Sequence, residues 1–157
     1  MRRYLVIASA VIVCLATSGL LRAEDDPFVG TWQLNVAKSH FDPGPPPKSQ
    51  TRTWEPSGKV TVKGIDADGK PHIHGYTIKA DGKDYPAAGG TNAPIADTVT
   101  TKRIDANTLL ATLTGGGKLL ETARFSVSKD GKVLTLESRN SAANPRYFHN
   151  IQVWDRQ

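Results

Sequence analysis

The chain has 157 residues, with 20 basic against 15 acidic side chains, a formal net charge of +5 and one cysteine, Cys14. Without the opening segment through Ala23 the basic and acidic counts are 17 and 15, the charge is +2 and no cysteine remains. That removes the case for nucleic acid, a polybasic membrane contact, a disulfide or a thiolate metal site, and leaves 134 residues suited to one domain with one modest core.

The opening segment reads as a secretory leader. Met1-Arg2-Arg3 is a short basic start, Tyr4 to Leu21 is almost wholly apolar, and Ala23 in "LLRAED" is small enough for a signal-peptidase site. Cleavage there starts the mature chain at Glu24 and places it in the periplasm or outside the cell, with no stable membrane anchoring. An uncleaved anchor is the competing reading, because the apolar run has just the length to cross a bilayer. Val13 is too large a neighbour for Cys14 to serve as a lipid attachment site.

The first predicted strand, Val29–Val36, carries Gly30-Thr31-Trp32. It runs into "SHFDPGPPPKSQ", where Pro43, Pro45, Pro46 and Pro47 cannot donate ladder hydrogen bonds and hold the chain stiff and extended. Further strands are predicted at Gln50–Glu55, Val60–Ile65, His72–Ala80, Thr98–Ile104, Leu109–Thr114, Leu119–Val127, Val133–Arg139 and Arg146–Trp154. They are separated by turn chemistry such as Ser57-Gly58, Asp68-Gly69, Asp81-Gly82, Gly115-Gly116-Gly117, Asp130-Gly131 and Ala143-Asn144-Pro145. No stretch keeps a helical period. The expected fold is all-β, an antiparallel up-and-down meander of about eight to nine strands that removes its edges by closing into a barrel; a two-sheet sandwich is the alternative.

Alternation within strands nominates an inner face. Leu119, Ala123, Phe125 and Val127 share one side of their strand, and Leu109, Ala111, Leu113, Leu134, Leu136, Val60, Val62, Tyr147, Ile151 and Val153 extend the core. Polar residues fall on the same faces: Arg52 beside Trp54, His74 beside Tyr76, Thr101 and Arg103 beside Val99, Glu121 beside Leu119, and His149 beside Tyr147. Unpaired charge in a dry core costs several kcal/mol. Either these groups pair, or a cavity with water and ligand surrounds them, or the face assignment is displaced by one residue.

Gly30-Thr31-Trp32 at the start of a meander resembles the Gly-x-Trp signature of lipocalins. The mature chain as a whole is similar to a group of bacterial secreted lipocalin-like proteins, through "DPFVGTWQLNVAKSHFDPGPPPKSQT" and turns of the type "DADGKP" and "DGKDYP". The resemblance implies a lipocalin-like barrel with Trp32 plugging its closed end, Gly30 allowing close approach, and a late arginine, Arg156 or Arg139, over the indole. It also implies that Phe41 to Pro47 follows the first strand across the open mouth as a partial lid, a rigid surface connection being the alternative. The chain departs from typical lipocalins in lacking their cysteines and a C-terminal helix.

Little catalytic chemistry is on offer. His72-Ile73-His74 puts two imidazoles on one side of a strand, where His149 or His40 would complete a metal site, but a solvated His72 after Pro71 explains the spacing as well. "TGGGKLL" lacks the phosphate-loop spacing, and there is no Gly-x-Ser-x-Gly, no thiol nucleophile and no His-Glu-x-x-His. No metal and no cofactor is expected. The leading expectation is a non-enzymatic binding protein for a small apolar or amphipathic molecule, its ligand residues being Arg52, Trp54, His74, Tyr76, Arg103, Glu121, Phe125, Tyr147 and His149, with Arg52, Arg103, Tyr76 or Tyr147 meeting a carboxylate. The alternative is a protein-interaction or inhibitor module of the same fold with a filled interior; an enzyme using the interior His and Arg residues ranks behind both.

Overall fold

The structure, a computed structural model, describes residues 26–87, 96–144 and 147–157. The leader with Cys14, and Pro145 and Arg146 of the last expected turn and strand, lie outside the described residues.

Among the described residues eleven strands form one antiparallel sheet: β1 Gly30–Leu34, β2 His40–Asp42, β3 Ser49–Trp54, β4 Lys59–Ile65, β5 Pro71–Thr77, β6 Asp81–Pro86, β7 Thr98–Asp105, β8 Thr108–Gly115, β9 Lys118–Val127, β10 Val133–Asn140 and β11 His149–Arg156. Consecutive strands pair from β3 to β5 and from β6 to β11, and β1 pairs with both β3 and β11, so the order runs β5-β4-β3-β1-β11-β10-β9-β8-β7-β6. This is the expected up-and-down meander wrapped into a barrel, as one sheet and not as a sandwich. Among the described residues hydrogen bonds do not close it: β5 and β6, consecutive in the chain, stand at the two ends of that order.

The strand count exceeds the expected eight to nine for two local reasons. β2 continues along β11 where β1 leaves it, after a 3-10 turn at Val36–Lys38 capped by the Asn35 side chain. β6 is built from Asp81-Gly82-Lys83-Asp84, which reads as a turn but pairs with β7 across a register shift, with Gly82 at φ +77 supplying the conformation a bulge requires.

Cross-strand register sets the inner face. Leu134 pairs with Trp154 on one side and with Val127 on the other, and Trp32, Val60, Leu134 and Trp154 are fully buried. Burying each aliphatic side chain of this layer is worth about 1.5–3 kcal/mol. Two expected faces are corrected here. On β11 the buried Trp154 fixes the period, so Gln152 and Asn150 share its side, while His149, Ile151, Val153 and the preceding Tyr147 lie on the other. On β9 the register shifts between Leu113↔Glu121 and Thr114↔Leu119, leaving one extra residue on that strand. The bulge leaves Leu120 buried, 6% exposed, and Leu119 exposed, at 42%.

Candidate functional site

One end of the barrel is sealed by Phe28, Trp32 and the last residues of β11. Phe28 and Trp32 are fully buried, and the Trp32 indole N–H donates to the Phe28 carbonyl at 2.9 Å. The Arg156 guanidinium sits 4.1 Å from the indole centroid and donates to the carbonyls of Val29, Pro27 and Gly131. Gly30 makes room for it: a Cβ at this position, where φ is +140, would stand 2.6 Å from Arg156 Nη1. Arg156, not Arg139, is therefore the arginine over the indole. Arg103 belongs to the same seal and not to the interior, pairing with Asp26 at 2.5 Å, donating to the Ala106 carbonyl and lying over the Phe28 ring.

Above this seal the interior holds a polar column. Arg52 on β3 is 4% exposed. Its Nη1 donates to the Tyr76 hydroxyl, and its guanidinium lies 4.7 Å from the Trp154 ring and 5.9 Å from Phe125 across the barrel. Its Nε is buried without a hydrogen-bond partner, and among the described residues no carboxylate lies within ion-pair distance. Because the Tyr76 oxygen accepts from Arg52, its own O–H remains available as a donor.

The same face of β5 brings His74 and His72 into line with Tyr76. The rings of His72 and His74 stack at 5.9 Å, and those of His74 and Tyr76 at 6.4 Å. Gln50 on β3 contacts His72 Nε2 at 3.1 Å, while His72 Nδ1 is buried with no hydrogen-bond partner among the described residues. Burial, then the Arg52 charge, then His72, hold the His74 pKa below its ordinary value of 6.5.

Of the nine expected ligand residues, Arg52, Trp54, His74, Tyr76 and Phe125 gather here. Trp54 packs against Phe125 at 5.7 Å and Phe28 at 5.2 Å. Glu121 shares the inner face through its register with Leu113 and Asn140, toward the open end. Tyr147 is 62% exposed and donates to Asp42 at 3.0 Å, and His149 pairs with Glu137 at 3.3 Å on the outer face. His40 is exposed on β2, and among the described residues no three potential metal ligands come together. Sequence reasoning missed Gln50, Trp154 and the buried side of His72; Gln50 and His72 each lie two positions from a nominated residue, the strand period that would have found them.

No helix among the described residues is long and apolar enough to cross a membrane. No protein-family model matches the chain, and no curated protein matches it in sequence. The fold is that of solved fatty acid binding proteins. The Schistosoma mansoni fatty acid binding protein in complex with arachidonic acid is similar with a TM-score of 0.51 at 12% identity, over 83% of this chain and 96% of that one. As-p18, an extracellular fatty acid binding protein, is similar with a TM-score of 0.51 at 13% identity, over 84% of this chain and 97% of that one.

Proposed function

We propose that the chain is a non-enzymatic binding protein, exported to the periplasm or beyond after cleavage behind Ala23, that takes a small amphipathic acid into its barrel. One observation carries this reading: Arg52 is a buried cation with an unpaired Nε and no acidic partner among the described residues. An uncompensated buried charge costs several kcal/mol, and an anionic ligand supplies the missing partner. Arg52 and the Tyr76 hydroxyl are the head-group donors, and Trp54, Phe125 and Trp154 the apolar wall. The likeness to fatty acid binding proteins supports the barrel as a scaffold for such a ligand.

The alternative, an interaction or inhibitor module with a filled interior, is favoured by a different observation. Arg52 reaches Phe125 and Trp154 across the barrel, and two grooves of about 320 Å³ lie away from it, one lined by Asp81, Lys102 and Arg103 and the other by Asp84, Lys102, Leu110 and Thr112.

Binding of decanoate and 1-decanol by mature protein separates the two. Arg52→Met should weaken the acid by about tenfold or more relative to the alcohol, since a hydrogen bond to a charged group is worth about 1.5–3 kcal/mol. Arg103→Met, at the closed end, should leave that ratio unchanged. Failure of wild-type protein to bind either compound, with native mass spectrometry of host-purified protein showing no retained small molecule, would establish the filled module instead.

A further inference from the structure

We propose that an anionic head group enters this barrel together with a proton, received by His74. The inference rests on the anion reading above and concerns how the same site is regulated. His72, His74 and Tyr76 occupy alternate positions of β5 and stack as one ladder. Arg52 holds its deep end through Tyr76, and Gln50 holds its outer end through His72 Nε2.

The charges around His74 make the coupling one-sided. Arg52 faces it from β3, and its own strand brings His72 and Tyr76. Its register partner on β4 is Val62, which brings no charge. On the other flank β6 is not hydrogen-bonded to β5, and its inward titratable group, Tyr85, is tied to Asp81 at 2.6 Å. Glu121 looks inward from β9, nearer the open end.

In ligand-free protein a proton on His74 meets low dielectric and the Arg52 cation, which together hold its pKa below 6.5. An anion bound to Arg52 offsets that cation and places negative charge beside the ladder, so protonation becomes favourable. Gln50 Nε2, an amide donor, sits on His72 Nε2, so the neutral His72 ring carries its proton on Nδ1, a buried donor with no partner among the described residues that can be directed at the head group. Linkage then requires the converse, that lower pH tightens binding of an anion whose own charge does not change.

Decane-1-sulfonate is such a probe, because its head group stays ionised. Its affinity for mature protein should rise as pH falls from about 7.5 to about 5.5, approaching but not exceeding about tenfold per pH unit for one proton. Calorimetry in two buffers of different ionisation enthalpy should give net proton uptake on binding, and His74→Asn should reduce it. NMR titration of the His74 ring in unmodified protein should show a higher pKa with sulfonate bound, which keeps the test independent of whether the variant folds. Sulfonate binding without pH dependence or proton uptake overturns the proton coupling and leaves the anion reading standing. Absence of binding by both sulfonate and decanoate at every pH overturns both.

Discussion

At Trp32 three residues distant in sequence solve one packing problem. The indole fills the barrel end, Arg156 covers it, and Gly30 leaves the space Arg156 occupies. Emptying such a site leaves a cavity that the surrounding strands cannot close, so Trp32→Ala should cost about 3–5 kcal/mol in urea unfolding; a loss below about 1 kcal/mol would show that the seal is dispensable. The choice between Arg156 and Arg139 was legible in part: once Trp154 is taken as inward, the strand period carries Arg156 to the same side, whereas Arg139 pairs with His149 on the outer face. Arg52 behaves in the opposite sense from Trp32. Its cation–π contacts are worth about 0.5–2 kcal/mol, less than the several kcal/mol of desolvating an unpaired charge. Arg52→Met should therefore leave the urea midpoint of ligand-free protein unchanged or raised, and a marked fall would mean that the guanidinium is already compensated inside the barrel.

Among the elements, β9 and β11 show what alternation conveys and where it fails. Both strands carry apolar residues on both sides near one end, Leu119 and Leu120 on β9, Ile151 with Val153 against Trp154 on β11, and a period-two reading has no way to choose between them. The choice is made by tertiary packing, through the pairing of Trp154 with Leu134 on β11 and through the bulge on β9. The bulge yields a direct test by substitution of adjacent leucines. Leu120→Ala removes a buried side chain and should cost about 2–5 kcal/mol, while Leu119→Ala should stay within about 0.5 kcal/mol of wild type. Reversed magnitudes would place the register shift elsewhere on the strand. β6 was illegible for another reason: Asp-Gly is the strongest short hairpin signal available, and here the same positive-φ glycine serves a bulge inside a strand.

Across the whole molecule the barrel runs from an end sealed by Phe28, Trp32 and Arg156 to the polar column around Arg52 and His74, and its response to pH follows from that column. Burial first, then the Arg52 charge and His72, disfavour the protonated His74 ring, so its folded-state pKa lies below 6.5. The unfolded chain then binds more protons than the folded one between the depressed value and 6.5, and stability rises with pH across that window. The contribution is present above 6.5 and diminishes as pH falls through the window to the depressed value. The carboxylates act lower on the scale. Asp81, which accepts from Tyr85, and Asp130, which accepts from Ser128, have pKa values held below their ordinary 3.8, so their stabilisation persists through neutral pH and is lost only in acid. Two separate declines should therefore appear in the urea midpoint of ligand-free protein as it is acidified, the first from the histidine and the second from the carboxylates. His74→Asn should remove the first and leave the second, and so should saturating decane-1-sulfonate, because a barrel that accepts a proton with its ligand has no reason to lose stability on protonation. A midpoint that stays flat from about pH 7.5 to about 5.5 in unmodified protein would mean that His74 is not held neutral beside Arg52.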